Sequence, residues 1–126
     1  MAYIVLLEDY RDVAEIMCDA LRCEGHRCFV IRSKRSAERF LSRVRPDLVI
    51  VDCLLIGGDG LEVAAHLACN ANIPVIVTSA DEDRAAEAEQ AGFPCLRKPF
   101  RLADLVAAVS TLLARNDQIE TTASNG

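Results

Sequence analysis

Aromatic side chains are scarce in this 126-residue chain, at 5% of positions, so its core must be built from aliphatic side chains. Long apolar runs are missing too. The N-terminal stretch MAYIVLL has no basic segment and stops at Glu8, short of the roughly twenty residues a membrane span needs, so neither a signal peptide nor a membrane anchor is expected. The expected location is cytoplasmic. The six cysteines include no CxxC pair, and without a secretory signal no structural disulfide is expected. They read instead as small core residues. Cys18 and Cys23, on one expected helix, lie roughly 140° apart around its axis and cannot bridge each other. Two histidines without ligand spacing give no Cys/His metal site.

Basic charge is also in deficit. Fourteen basic against nineteen acidic residues give a net charge of -5, which does not recommend nucleic acid as a partner. The distribution is uneven: residues 22–45 hold Arg22, Arg27, Arg32, Lys34, Arg35, Arg39, Arg43 and Arg45 against Glu24 and Glu38, a local +6 that leaves -11 for the remainder. A solvated helix face is the favoured explanation over a docking patch for an acidic partner. At this length one domain is expected, burying roughly two-thirds of its unfolded surface.

Along the chain, strand and helix patterns alternate. Tyr3–Leu7 is an apolar run closed by Glu8 and Asp9, and Val13, Ile16, Met17, Ala20 and Leu21 then recur at helical spacing until Gly25, a left-handed stop. Residues 28–31 make a second strand. Ser33 caps a helix with Ala37, Phe40, Leu41 and Val44 inward, ended by Pro46. Residues 48–51 are four unalternating apolar residues, the pattern of a central parallel strand, and Asp52 ends it. Asp59 and Glu62 read as the start of a helix with Leu61, Ala64, Leu67 and Ala68 inward. Residues 75–77 form a fourth buried strand ending at Thr78 and Ser79, and Asp81 caps a helix over 82–91 that buries only alanines. That helix should be easily displaced. Cys95–Arg97 forms a fifth strand followed by Lys98, and a last helix carries Leu102, Leu105, Val106, Val109, Leu112 and Leu113. Residues 116–126 read as a flexible tail after a domain over 1–115.

Five strands alternating with five helices imply an α/β fold with a doubly wound parallel sheet. Glu8, Asp9, Asp52, Thr78 and Lys98 then share its carboxyl edge, where open α/β sheets do chemistry.

Glu8-Asp9, the lone Asp52, Thr78 and the Lys98-Pro99-Phe100 triplet, in that order and at those separations, resemble the receiver domain of bacterial two-component response regulators, and of the stand-alone, chemotaxis-regulator kind. The match spans residues 3 to about 115. The resemblance implies a flavodoxin-like sheet of order 2-1-3-4-5 and a single-domain regulator, monomeric or weakly dimeric, phosphorylated by a sensor histidine kinase or histidine phosphotransfer protein. It would signal by altered binding to a downstream protein target. Asp52 then resembles the phosphoacceptor. Asp9 resembles a direct Mg²⁺ ligand, Glu8 one acting through metal-bound water, and the Leu54 backbone carbonyl completes the protein's share of the ligands. Thr78 resembles the hydroxyl that closes on the phosphoryl group, and Lys98 the ammonium that pairs with it. The Lys98-Pro99 bond is cis in relatives. Such a protein is a phosphoacceptor rather than an enzyme, catalysing only its own phosphorylation and slow dephosphorylation.

The chemistry asks for these residue types in its own right. Three carboxylates near one point repel, and a divalent cation with one ammonium restores rough neutrality. Mg²⁺ prefers oxygen ligands and can share a phosphate oxygen with paired carboxylates. An aspartate is ionised at neutral pH and needs no base to act as nucleophile. Lys98 is one of two lysines beside twelve arginines, a sign that a compact ammonium is wanted there. Read singly, Glu8 and Asp9 could merely begin a helix, and Thr78 is an ordinary strand residue.

The chain departs from the family pattern in places. Leu55-Ile56 stands where relatives usually have Met-Pro, Ser79 is bulkier than the usual Ala or Gly, and Cys95 stands where many relatives carry a Tyr or Phe that swings with the threonine. Cys53 should turn away from the acidic pocket, because adjacent strand residues face opposite ways. Two other classes compete. A haloacid-dehalogenase-type phosphohydrolase needs a second acid two residues after the nucleophile, where this chain has Leu54. A receiver-fold binding module would signal without phosphate.

Overall fold

In a computed structural model the chain is described over residues 1–125, with side chains described as far as Asn116. Five parallel strands form one sheet: β1 (Tyr3–Leu7), β2 (Arg27–Ile31), β3 (Leu48–Asp52), β6 (Val75–Ser79) and β7 (Cys95–Arg97), in the order β2-β1-β3-β6-β7. Counted along this sheet alone, that is the expected 2-1-3-4-5. The fold is flavodoxin-like.

Apolar runs without alternation become the middle of the sheet because both their faces are covered. Every residue of β3 and β6 is buried, whereas β2, at the edge, buries only Cys28. Successive side chains go to opposite faces and feed two cores. Val5, Leu7, Val49, Val51, Val75 and Val77 pack on one side with Ala37, Val63, Ala64 and Ala88, from helices α2 (Lys34–Leu41), α3 (Gly60–His66) and α4 (Glu82–Gln90). Ile4, Leu6, Leu48, Ile50 and Ile76 pack on the other with Met17 and Leu21 of α1 (Arg11–Cys23) and Leu105 and Val109 of α5 (Leu102–Asn125). Among the described residues, no helix is long and apolar enough to cross a membrane.

Side-chain caps start α2, α3 and α4. Ser33 accepts from the Ser36 amide, Asp59 from Leu61, and Asp81 from Asp83 and Arg84. Gly25, with φ +90°, follows α1 in the left-handed region only glycine adopts freely.

Several expectations need correction. The buried face of α1 is Ala14, Met17, Cys18 and Leu21, while Val13 and Ile16 are 37% and 55% exposed. Both series have helical spacing, and small Ala14 and Cys18 let the helix sit closer to the sheet. The second helix ends at Leu41, before Pro46, with Ser42 as its cap. In α3 Val63 is buried and Ala68 is exposed: the inward face runs through Val63, Ala64 and Leu67, and a π-helical turn follows over Leu67–Ala71. Leu102 is 40% exposed. The backbone of α5 continues to Asn125, whereas the flexible tail expected over residues 116–126 falls mostly on side chains outside the described residues.

A disulfide was not expected, yet Cys18 and Cys28 form one, with Cα atoms 5.6 Å apart. α1 packs directly on β2, which brings one cysteine of each together, a pairing across elements that spacing along one helix does not reveal. Cys53 is a buried core residue as anticipated, but Cys23 and Cys69 are exposed.

A short antiparallel hairpin was also unforeseen. β4 (Leu54–Leu55) and β5 (Gly58–Asp59) pair immediately after Asp52, and the hairpin is tied to α2 by the Lys34 amide donating to the Ile56 carbonyl at 3.0 Å. This is the loop where Leu55-Ile56 departs from the family pattern.

Candidate functional site

Parallel strands end on the same edge, so residues that close them converge. The register sets Asp52 beside Thr78 and Leu7 beside Val51, which carries Glu8 to the flank of Asp52. The backbone pairing runs one residue beyond the strands: Glu8 donates to Ile31 at 3.1 Å, Cys53 to Thr78 at 2.9 Å and Lys98 to Ser79 at 2.8 Å. Main chain beneath the site is therefore held on every side. The Lys98-Pro99 bond is cis.

Side-chain oxygens of Glu8, Asp9 and Asp52 lie within 4.8 Å of one another. Glu8 is fully buried, Asp52 is 7% exposed and Asp9 is half-buried. Lys98 closes the cluster, its Nζ donating to Glu8 Oε2 at 2.8 Å and to Asp52 Oδ2 at 2.5 Å. Asp52 Oδ1 accepts from the Leu54 amide at 3.1 Å, and Glu8 Oε1 from the Tyr10 amide at 3.2 Å. Glu8 is thus more than a helix-starting acid, since its other oxygen is engaged by Lys98 across the sheet.

Thr78 stands on the same edge, 1% exposed. Among the described residues its Oγ1 is the buried side-chain polar atom left without a hydrogen-bond partner. Buried hydroxyls are ordinarily satisfied, so this one points to a partner the bare chain does not supply.

Charge in the cluster is unbalanced, three carboxylates against one ammonium. Burial pushes the Glu8 carboxyl up to about 7, and the Asp52 charge adds to that while the Lys98 hydrogen bond opposes it. Burial acts to lower the Lys98 pKa, but hydrogen bonds to Asp52 and Glu8 outweigh it and the net shift is upward. Lys98 stays charged.

Asp9, Asp52 and Lys98 open into a cavity of about 630 Å³ whose wall also includes Cys53, Asp59 and Arg84. Cys53 was expected to turn away from the acids. It packs in the core with Val51 and Val77, and its pKa is raised by burial ahead of the charges of Asp52 and Asp59. Ser79 does not offer its hydroxyl to the site, because that group is used in the turn to α4, donating to the Asp81 carbonyl at 2.9 Å and accepting from its amide at 3.0 Å.

Two residues of the site went unnoticed in the sequence. Gly60 packs so tightly that a Cβ there would overlap the Asp52 carbonyl oxygen. Its one signal was a glycine just after a capping Asp, where a helix start does not require glycine. Arg84 pairs with Asp59 across the cavity mouth and with Glu87 at 2.8 Å, and nothing in the sequence linked it to Asp59, 25 positions earlier.

A doubly wound parallel sheet with a lysine-closed pocket at the carboxyl ends of its strands defines an α/β domain whose Glu8, Asp9 and Asp52 could hold a cation. The model of the response regulator receiver domain matches residues 4–110, and the chain belongs to that family. It is 32% identical over 117 residues to the DNA-binding response regulator MtrA of Mycobacterium tuberculosis strain H37Rv, covering 90% of this chain and 51% of that protein. It is 30% identical over 118 residues to the phosphate regulon transcriptional regulatory protein PhoB of Escherichia coli K12, covering 89% and 52%. The chain thus spans about half the length of these curated relatives. Among solved structures, the signal receiver domain of a putative Luxo repressor protein from Vibrio parahaemolyticus superposes with a TM-score of 0.85 at 25% identity, covering 94% of this chain and 95% of that one. The receiver domain of a signal transduction histidine kinase from Syntrophus aciditrophicus gives 0.81 at 30% identity, covering 90% and 91%.

Proposed function

We propose that the chain accepts a phosphoryl group on Asp52 from a sensor histidine kinase or histidine phosphotransfer protein, in a Mg²⁺-dependent reaction, and signals by altered binding to a downstream protein. The observation that carries this reading is Asp52 itself: a carboxylate at a buried strand end, bonded to Lys98 and flanked by Glu8 and Asp9, with the unpartnered Thr78 hydroxyl on the adjacent strand.

The donor set fits a hard divalent cation. Three carboxylates share one point with a single ammonium, and oxygen ligands of this kind suit Mg²⁺. Glu8, Asp9 and Asp52, with the Leu54 backbone carbonyl, would hold it. When bound, the cation supplies positive charge against the phosphoryl oxygens.

In the transfer, an Asp52 carboxylate oxygen attacks the phosphorus of a phosphohistidine. The O–P bond forms as the N–P bond breaks, and the imidazole leaves with the electron pair and takes up a proton from solvent. Lys98 stays ionised and pairs with a phosphoryl oxygen, and the Thr78 hydroxyl donates to another, gaining the partner it lacks. Hydrolysis back to aspartate and inorganic phosphate is slow, because Leu54, apolar and 74% exposed, offers no acid or base two residues after the nucleophile. That also argues against a phosphohydrolase.

Intact-mass measurement with acetyl phosphate is the test. Wild type should gain one phosphoryl group in Mg²⁺, and Asp52→Asn or chelation should abolish the gain. Equal labelling of wild type and Asp52→Asn would sink the assignment, and no labelling at all would favour a binding module that signals without phosphate.

A further inference from the structure

The fourth helix is only lightly anchored by apolar contact. It buries only Ala85 and Ala88, so its position depends heavily on ion pairs made by its polar side chains. On one side Arg97 of β7 holds Glu82 and Glu89. On the other, Arg84 reaches across the cavity mouth to Asp59, the residue that caps α3 and stands next to Gly60 against the Asp52 main chain. Arg84 and Asp52 line the same cavity.

We propose that Arg84 carries the phosphorylation state of Asp52 to α4: the guanidinium rests on Asp59 and exchanges that carboxylate for a phosphoryl oxygen once Asp52 is modified. The inference rests on the phosphoacceptor reading above.

Relative strengths favour the exchange. Arg84 and Asp59 are each about a third exposed, at 34% and 33%, so their pair is worth roughly 0–1 kcal/mol and is cheap to break. A phosphoryl group brings about -1.5 to -2 of charge and three acceptor oxygens, and a guanidinium fork matches it two bonds at a time. Release would leave Asp59 able to cap α3, because its Oδ1 also accepts from the Leu61 amide at 2.9 Å. Since Arg84 belongs to the first turn of α4, the turn moves with it.

Hydrogen exchange of the amides over 82–90, measured with and without acetyl phosphate and Mg²⁺ at equal phosphoryl occupancy read by intact mass, tests this. In wild type the first turn of α4 should exchange several-fold more slowly when phosphorylated. Arg84→Gln should lose that gain in protection. Asp59→Asn keeps an oxygen for the α3 cap but drops the resting charge partner. It should exchange faster than wild type when unmodified and match it when phosphorylated, which widens the difference. A full wild-type gain of protection in Arg84→Gln overturns the proposal, as does a phosphorylated wild type with unchanged α4 exchange. A wild type that takes up no phosphoryl group overturns the phosphoacceptor reading itself, a result legible in the mass before any exchange is measured.

Discussion

Gly60 lies against the main chain of Asp52, its amide donating to the Cys53 carbonyl at 2.8 Å and its missing side chain leaving the space the Asp52 carbonyl occupies. Backbone cannot swing aside as a side chain can. Gly60→Ala should therefore cost about 1–3 kcal/mol and displace Asp52. Gly58 is a fair control, since a Cβ there meets only the Lys34 side chain, which is free to rotate at the expense of its partly exposed bond to Glu62. Urea denaturation should rank Gly60→Ala well below Gly58→Ala, with phosphoryl uptake falling in the first alone. Equal midpoints would show that the close approach is soft.

Lys98 is the cluster's one cation, and removing it leaves Glu8 and Asp52 facing each other without a counter-charge. Losing one partner of a fully buried pair costs about 3–5 kcal/mol, but Lys98 is 20% exposed and the acids can take up a proton, so Lys98→Met should cost less than that. Millimolar Mg²⁺ should return much of the loss by supplying the missing charge. Denaturation midpoints with Mg²⁺ and with chelator check this, and an identical response of wild type and variant to Mg²⁺ would count against a shared cation site.

Glu8 makes a pH signature. Burial holds its folded pKa at about 7, above the value of 4.5 it has when unfolded. The native state keeps a proton that the unfolded chain has already lost, so the stability Glu8 contributes is fully present below pH 4.5 and disappears as pH rises toward 7. The size is at most about 3 kcal/mol. Metal-free wild type should lose stability relative to Glu8→Gln between pH 5 and pH 8, read by urea titration in chelator. Parallel pH profiles for the two proteins would mean that Glu8 titrates normally.

The gathering of Glu8, Asp9, Asp52, Thr78 and Lys98 was legible because it follows from period and polarity: unalternating apolar runs make central parallel strands, and such strands end together. The strand order came with the family resemblance, since period does not say which strands are neighbours. The caps at Ser33, Asp59 and Asp81 were legible for a local reason, a side-chain oxygen beside free amides. What stayed hidden depends on distance through space. The rotation of α1, the Cys18–Cys28 pairing, the fit of Gly60 against Asp52 and the Arg84–Asp59 bond all arise between elements whose relative placement no spacing along the chain encodes.

Thr78 presents a conflict between stability and function. Its buried hydroxyl has no partner, and an unsatisfied buried polar group costs about 1–3 kcal/mol. Valine has nearly the same shape without the hydroxyl. Thr78→Val should therefore be as stable as wild type or more so, with a higher urea midpoint in the absence of phosphodonor. If the hydroxyl is kept for the phosphoryl group, the same variant should accumulate less acyl phosphate at a given acetyl phosphate concentration. Loss of stability would mean that the hydroxyl is satisfied within the resting fold. Unchanged labelling would remove Thr78 from the chemistry, since a group retained at a cost to folding must return that cost in the modified state.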